Sequence, residues 1–254
     1  MTRSVIVIAI VGIAAALICL PMAAMLYRHG NHLESWTWSG YQGWFGEDDD
    51  DDDSDARDQG GERGRIESRD FVWGSADRLE LDVPANLHFQ PAGEWHLSIR
   101  GPRRMLDRIR VGDGRVAVSR PYHRYPGPLE IELSGPALHD ITVNGSGKLV
   151  LDNLRQDALT VAIHGSGSVR ANGSTDRLNV QIIGSGDADL AQLAVQSSKI
   201  FIAGSGAADV APSDDADVFI AGSGDVRLHT HPRHLSSKVA GSGQIIEVLD
   251  GQKI

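Results

Sequence analysis

Residues 161–190 read VAIHGSGSVRANGSTDRLNVQIIGSGDADL, and this stretch holds two copies of one pattern. In each copy, apolar residues alternate with polar ones on both sides of a Gly-Ser-Gly tripeptide. Alternation at period two is typical of a β-strand with one buried face, and helix-period spacing is absent here. The stretch therefore predicts two strands joined by a bend at the tripeptide, because glycine permits unusual dihedral angles and close backbone approach.

The tripeptide occurs six times, at intervals of 18 to 20 residues, and Val or Ile stands two residues before every copy. A unit of this length cannot bury its own apolar edge, whereas units stacked about 4.8 Å apart can. We therefore predict that the tripeptides form the corners of stacked coils. These corner residues are Gly145, Ser146, Gly147, Gly165, Ser166, Gly167, Gly184, Ser185, Gly186, Gly204, Ser205, Gly206, Gly222, Ser223, Gly224, Gly241, Ser242 and Gly243.

The predicted fold class is all-β: a right-handed, single-stranded parallel β-helix, or β-solenoid, with an N-terminal transmembrane helix. The head domain is predicted over 70–250, with regular repeats at 141–246, and its right-handed coiling follows the general preference of parallel crossovers. A β-sandwich of hairpins is the alternative, but hairpins do not require one tripeptide at near-constant spacing. Residues 70–140 lack the tripeptide and keep strand patterns, so less regular coils or a cap are expected there.

Residues 5–27 form an uncharged, almost wholly apolar run between Arg3 and Arg28. As a helix this run would span roughly 34 Å, enough to cross a hydrocarbon core of about 30 Å. We predict an uncleaved membrane anchor after a short flank at 1–4. A cleaved signal peptide is the alternative, although the candidate cleavage sites lack the small residues that cleavage prefers.

Residues 28–69 are predicted to form a spacer with an aromatic part and an acidic part. Five aromatic residues fall within 34–45, a density that suits rings at the headgroup level or a linker without a defined pose. Nine acids and one Arg fall within 47–58, which accounts for most of the net charge of −10. Because like charges at this density repel and stay solvated, we expect disorder rather than a calcium site in the run Asp48–Asp53.

Several kinds of site are disfavoured by the sequence. The single cysteine, Cys19, excludes an intramolecular disulfide and a Cys-based zinc site, and the negative charge argues against nucleic acid as a partner. Six equivalent serines argue against nucleophilic catalysis, which singles out one residue beside a base. We predict no catalytic residue, no cofactor and no metal.

For two sets of polar residues, a chemical role is the alternative interpretation. Asp187 and Asp225 occupy equivalent positions two coils apart, roughly 9.6 Å, at the edge of the carboxylate separation of inverting glycosidases. Solvated carboxylates are the favoured interpretation, because no basic residue occupies the intervening position. His229, His231 and His234 are interpreted as a polar turn, with weak zinc or nickel binding as the alternative.

A basic segment follows the first strands. Eight arginines lie within 100–124 among only two acids. Clustered on one face, they could hold anionic glycan, lipid headgroups or the chain's own aspartate run, and an ordinary solvated face is the alternative. The residues assigned to this anionic-ligand face are Arg100, Arg103, Arg104, Arg108 and Arg110.

The motifs LELDV at 79–83, LDRIRV at 106–111, PAL at 136–138 and VNGSG at 143–147 precede the serial tripeptides. In this order they resemble the family called putative auto-transporter adhesin, head GIN domain, over about residues 70–248. The resemblance implies a bacterial envelope protein with a single-stranded right-handed β-helix, and it implies no established activity.

We therefore predict a single-pass inner-membrane protein of the bacterial cell envelope, with its C-terminal domain in the periplasm or outside, or secreted if the N-terminal segment is cleaved. Its solenoid is predicted to be a non-catalytic, adhesin-like binding or structural module. The expected partners are the membrane, through the N-terminal helix, a glycan or envelope protein, and further copies through the solenoid ends. Two alternatives are a polysaccharide-active β-helix enzyme, and an envelope regulator or scaffold whose acidic spacer docks on the Arg-rich face.

Overall fold

The computed structural model describes residues 65–74, 76–119 and 129–248, all within one compact unit, Ala56–Ile254. These ranges form β-strands and one short helix, so the all-β prediction is confirmed. The elements are β1 (Ile66–Phe71), β2 (Arg78–Leu81), β3 (Ala85–Pro91), β4 (His96–Pro102), α1 (Arg103–Leu106), β5 (Ile109–Gly112), β6 (Arg115–Val118), β7 (Leu129–Gly135), β8 (Asp140–Gly145), β9 (Lys148–Gly165), β10 (Ser168–Gly184), β11 (Asp187–Gly204), β12 (Ala207–Gly222), β13 (Asp225–Leu228), β14 (His234–Gly241) and β15 (Gln244–Glu247).

From β8 to β15, all strand pairs are parallel and join equivalent positions of successive coils. The central strands β9 to β12 each run 16 to 18 residues from one tripeptide to the next. The two strands predicted for each unit are thus continuous in these coils, with register shifts between them. The β-solenoid prediction is confirmed, with about five turns.

The interior is filled by aliphatic columns that follow the predicted spacing. The residue two positions before each tripeptide pairs with its equivalent in the next coil. Side chains in such a column stack directly, so each coil completes the burial of its neighbour. In the first five coils this column is fully buried, and it consists of Val143, Ile163, Ile182, Ile202 and Ile220.

The N-terminal end of the solenoid has mixed strand directions. Strand β3 lies between β7 and β9 in parallel, and β2 is parallel to β6 and β8. In contrast, β4 is antiparallel to both β1 and β7, and β5 is antiparallel to β6. The rings of Trp73 and Trp95, whose centroids are 6.0 Å apart, pack beside the buried Phe89. This end is therefore a mixed sheet rather than a series of further regular coils.

The predicted spacer boundary at residue 69 is wrong, because residues 66–71 form β1 against β4. The charges of this segment are paired rather than mutually repelling. Arg69 donates to Asp107 at 2.7 Å and to Glu67 at 3.2 Å, which holds the charged segment on the sheet. The folded unit therefore includes Ile66.

Three predicted features lie outside the described residues: the anchor at 5–27, the aromatic cluster at 34–45 and the acidic run Asp48–Asp53. In the ranges that the structure does describe, there is no helix with the length and apolar character needed to cross a membrane.

The last coil is open to solvent. Strand β14 pairs with β12 on one side and is exposed along its whole length. Val239 continues the central aliphatic column but is 41% exposed, because no described residue lies beyond it. The end of the solenoid therefore carries apolar side chains that the inner coils would bury.

Candidate functional site

The Gly-Ser-Gly corners of successive coils stack in one column. The first glycine of each has a positive φ, from 92° at Gly145 to 144° at Gly241. The serine N–H donates to the first-glycine carbonyl of the preceding coil, as from Ser166 to Gly145 at 2.8 Å and from Ser185 to Gly165 at 2.8 Å. These serines are exposed, so the predicted serine column lies on the outside of the corner.

From the second corner onward, backbone contact between coils explains both glycines. A Cβ on Gly165 would lie 2.7 Å from the Gly145 carbonyl oxygen, and a Cβ on Gly186 would lie 2.7 Å from that of Gly167. Both separations are far below van der Waals contact, and the opposing atoms are backbone, which cannot move aside. The corner is therefore a close-packed structural element whose only outward side chain is the serine.

The serine column has no catalytic arrangement in the described coils. From the second corner onward, the serines have equivalent backbone hydrogen bonds, and the one imidazole near the column in sequence has another partner. His164, two residues before Ser166, places Nδ1 3.1 Å from Oδ1 of Asn144 in the preceding coil. Nucleophilic catalysis requires a base that touches the nucleophile, and these corners do not provide one.

The downstream face comprises the outward side chains that follow each corner, and several of its charges pair across coils. Arg170 donates to Asp189 at 2.8 Å. Asp209 accepts from Arg227 at 3.3 Å and hydrogen-bonds His229 at 2.9 Å. Opposite charges in neighbouring strands support sheet pairing, so these groups stabilise the stack.

Asp187 and Asp225 lie in one column of the downstream face, as predicted, with Ala207 between them. The Asp225 carboxylate accepts a hydrogen bond from the backbone N–H of Gln244 at 3.0 Å. The two carboxylates thus stand two coils apart, and no acid or base side chain occupies the column between them. This arrangement lacks the facing pair of carboxyl groups that glycoside hydrolysis uses.

One polar cluster was not identified from the sequence. His88 of β3 lies 2.5 Å from the Asp152 carboxylate of β9, which also accepts from Asn172 of β10. The hydrogen bond from His88, supported by that from Asn172, lowers the pKa of Asp152 below its ordinary value despite the opposing effect of burial. These residues join the mixed N-terminal end to the regular coils. No local motif marks them, because His88 and Asp152 are 64 residues apart.

The predicted anionic-ligand arginines are distributed over several elements. Arg100 lies on β4, 3.8 Å from Glu130, and Arg103 and Arg104 belong to α1. Arg110 on β5 donates to the Asp107 and Ile109 carbonyls at 3.4 and 2.9 Å. Arg104 and Arg108 also hold interactions within the chain. The assignment of a common anion-binding face remains a prediction.

The upstream face comprises the outward side chains that lead into each corner, and it contains aromatic and aliphatic groups. The rings of Phe201 and Phe219 are stacked, with centroids 5.5 Å apart and planes at 5°, and Lys238 Nζ lies 5.8 Å from the Phe219 centroid. Ile183 is 43% exposed. Three columns of this face are Arg177, Ser197, Asp215 and His234; Asn179, Lys199, Asp217 and Ser236; and Gln181, Phe201, Phe219 and Lys238.

Several charges of the upstream face are unpaired, although Asp215 accepts a hydrogen bond from Ser197 at 3.1 Å. Lys199 and Asp217 are register neighbours of opposite charge. In the part of the chain that the structure describes, neither side chain forms a hydrogen bond or an ion pair, and the same holds for Arg177. A groove of about 650 Å³ crosses this region and is lined by all three residues and by His234. This face therefore presents both apolar surface and available charge.

The three histidines of the predicted polar turn do not converge on one point, and two of them have separate partners. His229 contacts Asp209, whereas His231 Nδ1 lies 2.8 Å from Glu247, and His234 begins β14. Across residues 65–74, 76–119 and 129–248, no group of three or more His, Cys, Asp or Glu side chains could hold a metal ion.

Comparison with known proteins identifies relatives of this chain. The model of the family described as putative auto-transporter adhesin, head GIN domain, matches residues 92–232. No curated protein matches the chain. A solved structure of a putative adhesin from Bacteroides fragilis has 18% identity and a TM-score of 0.59, covering 72% of this chain and 97% of that one. A putative adhesin from Parabacteroides distasonis has 16% identity and a TM-score of 0.48, covering 74% and 98%. A putative lipid binding protein from the same species has 18% identity and a TM-score of 0.44, covering 73% and 98%.

Proposed function

Because the chain belongs to the family described as putative auto-transporter adhesin, head GIN domain, we propose that it is a membrane-anchored bacterial envelope protein with a non-catalytic binding head. The apolar run at 5–27 would hold it in the inner membrane, and residues 28–64 would separate the head from the bilayer. The right-handed solenoid would then act in the periplasm or outside the cell, as a rigid surface for a repetitive partner.

The observation that carries this proposal is the difference between the two outer faces. On the downstream face, Arg170 and Asp189 pair with each other. On the upstream face, Lys199 and Asp217 hold no partner among the described residues, although they are equally close in register. Phe201 and Phe219 add an aromatic strip beside these charges. Aromatic groups with nearby unpaired charges are typical of contact surfaces.

The non-catalytic role is supported by the equivalence of the coils. An enzyme needs one set of groups that differ from their surroundings, usually in a cleft with shifted pKa values. Here the serines repeat without a base, and Asp187 and Asp225 are separated by Ala207. The Arg-rich segment that includes Arg100 and Arg103 would provide a second contact for anionic groups.

Binding can be tested with the full chain in detergent micelles on immobilised repeating glycans. We expect retention on at least one glycan class, loss of retention when Phe201 and Phe219 are both changed to Ala, and normal retention of the downstream-face variant Arg170→Gln. Equal retention of the two variants would remove the upstream face from the proposal. Shortening of the glycan chains that disappears in Asp187→Asn would instead indicate an enzyme.

Anchoring can be tested by fractionating bacteria that express the full chain. We expect the protein to stay with the membrane pellet after an alkaline wash, because a helix of 23 apolar residues would be inserted rather than adsorbed. Deletion of residues 5–27 should move it to the soluble fraction. Release of the intact chain by the alkaline wash alone would contradict an uncleaved anchor.

A further inference from the structure

We propose that the upstream face binds the same face of a second copy of this chain, with the two solenoid axes antiparallel. The inference rests on the proposed binding role of this face and names its partner. It is carried by the order of charged and aromatic residues along the columns, which is complementary to itself when the order of the coils is reversed.

The relevant symmetry is a two-fold axis that lies in the interface and runs parallel to the strands. An interface formed this way uses one patch twice, so that residue i of one copy meets residue j of the other and the reverse. If the axis lies midway between the coils of Lys199 and Asp217, each column faces the same column of the second copy with its coils in opposite order. A column packs well in this manner only if it is complementary to itself. The column of Arg177, Ser197, Asp215 and His234 is not, because Arg177 would face His234, so the contact depends on the other two columns.

The charged column satisfies this condition. It reads Asn179, Lys199, Asp217 and Ser236 along successive coils. In the antiparallel pair, Lys199 faces Asp217 of the second copy and Asp217 faces Lys199, while Asn179 faces Ser236. Two equivalent ion pairs form beside the axis, flanked by amide–hydroxyl contacts. Because neither charged group has a partner among the described residues, no ion pair within the described coils has to be broken first.

The neighbouring column brings apolar groups together in the same arrangement. Phe201 faces Phe219 of the second copy and the reverse, and Gln181 faces Lys238. Sheets that pack face to face lie about 10 Å apart, a distance that phenylalanine rings from both sides can fill. Ile183, which is 43% exposed, lies on the same face close to the corners. The contact would therefore have an apolar centre with charged pairs beside it, as stable interfaces do.

The sequence predicts self-association through the solenoid ends instead. The open end does expose apolar groups, including Val239 on β14. An end contact, however, would join the last coil either to the last coil of another copy or to that copy's mixed N-terminal sheet. No charge pattern on β14 favours one of these contacts over the other. The lateral face carries the more specific arrangement.

Charge reversal provides a direct test with the full chain in detergent, in which a labelled copy is titrated with unlabelled copies. We expect the wild-type chain to self-associate, and Lys199→Asp and Asp217→Lys each to weaken self-association on the order of tenfold or more, because each change places two like-charge pairs beside the axis. The two single variants should bind one another at close to wild-type strength, because mixing them restores both opposite-charge pairs. The chain that carries both changes should also self-associate.

Lys148→Asp, an exposed charge reversal on the downstream face, is the matched control and should leave self-association unchanged. Circular dichroism should show the wild-type fold for every variant, because all altered side chains are on the outside. Absence of self-association in the wild-type chain would overturn the inference, as would single variants that fail to bind one another. If glycan retention still depends on Phe201 and Phe219 in that case, the binding function stands and only the identity of the partner is wrong.

Discussion

At the scale of the residue, the three positions of each corner are under different constraints. The first glycine has a backbone conformation that L side chains rarely adopt, and the second has no room for a Cβ. The serine between them projects into solvent and contributes only its backbone to the stack. From the second corner onward, packing between coils therefore explains the recurrence of both glycines, whereas at Gly145 only the positive φ favours glycine. The recurrence of serine is not explained by packing.

The first prediction concerns this difference. Gly186→Ala should destabilise the fold by about 2 kcal/mol or more, because the new Cβ would meet the Gly167 carbonyl oxygen of the preceding coil. Ser185→Ala, one residue away, should change stability by less than about 0.5 kcal/mol. Thermal unfolding of the full chain in detergent measures both effects. Similar Tm values for the two variants would contradict the close packing of the corner.

The second prediction concerns the stability that the Asp152 cluster contributes and its loss at low pH. Because the hydrogen bond from His88 lowers the pKa of Asp152 in the folded chain, the carboxylate contributes stability that is present above the ordinary value of 3.8 and is lost as pH falls through the folded pKa. Asp152→Asn should therefore lower Tm at pH 7. The difference from the wild type should shrink once the pH passes below 3.8.

Asp157→Asn is the control for this experiment, since Asp157 is exposed and its side chain forms no hydrogen bond within the described residues. Its Tm difference from the wild type should be small and should not follow the acid dependence of Asp152→Asn. The Tm difference for Asp152→Asn could instead stay constant from pH 7 down to pH values well below 3.8. That result would show that Asp152 contributes through packing and not through its ionised carboxylate.

At the scale of the element, stability depends on where a strand lies in the stack. The third prediction compares two members of one aliphatic column. Ile182, in the middle, is fully buried, whereas Val239, in the last coil, is 41% exposed. Ile182→Ala should cost about 2–5 kcal/mol, because it leaves a cavity between two coils. Val239→Ala should cost less than about 1 kcal/mol.

Urea unfolding of both variants measures this comparison. The result also bears on the open end, because a large effect at Val239 would mean that the last coil is covered by a further contact. Equal losses at the two positions would therefore contradict the exposure of β14 in the isolated chain.

Some features of the strands and their packing could be predicted from the sequence, and others could not. The aliphatic column that begins with Val143 and Ile163 was predictable because period-two alternation and a repeated tripeptide are local signals. The antiparallel pairing of β4 with β1 was not predictable, because the sequence of a single strand does not determine the direction of its neighbour. The contrast between paired Arg170 and unpaired Lys199 was also not predictable, since it depends on side-chain geometry across coils.

At the scale of the whole folded unit, the solenoid has two unlike faces and an open end. Stacking fixes the distance between equivalent residues, so any surface pattern repeats at the spacing of the coils, about 4.8 Å. This regularity gives the upstream face its columns and permits the antiparallel pairing of two copies. The function proposed for the chain therefore depends on the coils lying in register.

The most direct test of that register is the distance between spin labels along the serine column. In a Cys19→Ser background, cysteines at Ser146 and Ser223 are four coil steps apart, and those at Ser146 and Ser242 are five. Double electron–electron resonance on a small fraction of labelled chain, diluted in unlabelled chain, should give distances of about 19 and 24 Å, respectively. Distances that do not increase with the number of coils would contradict a stacked parallel solenoid.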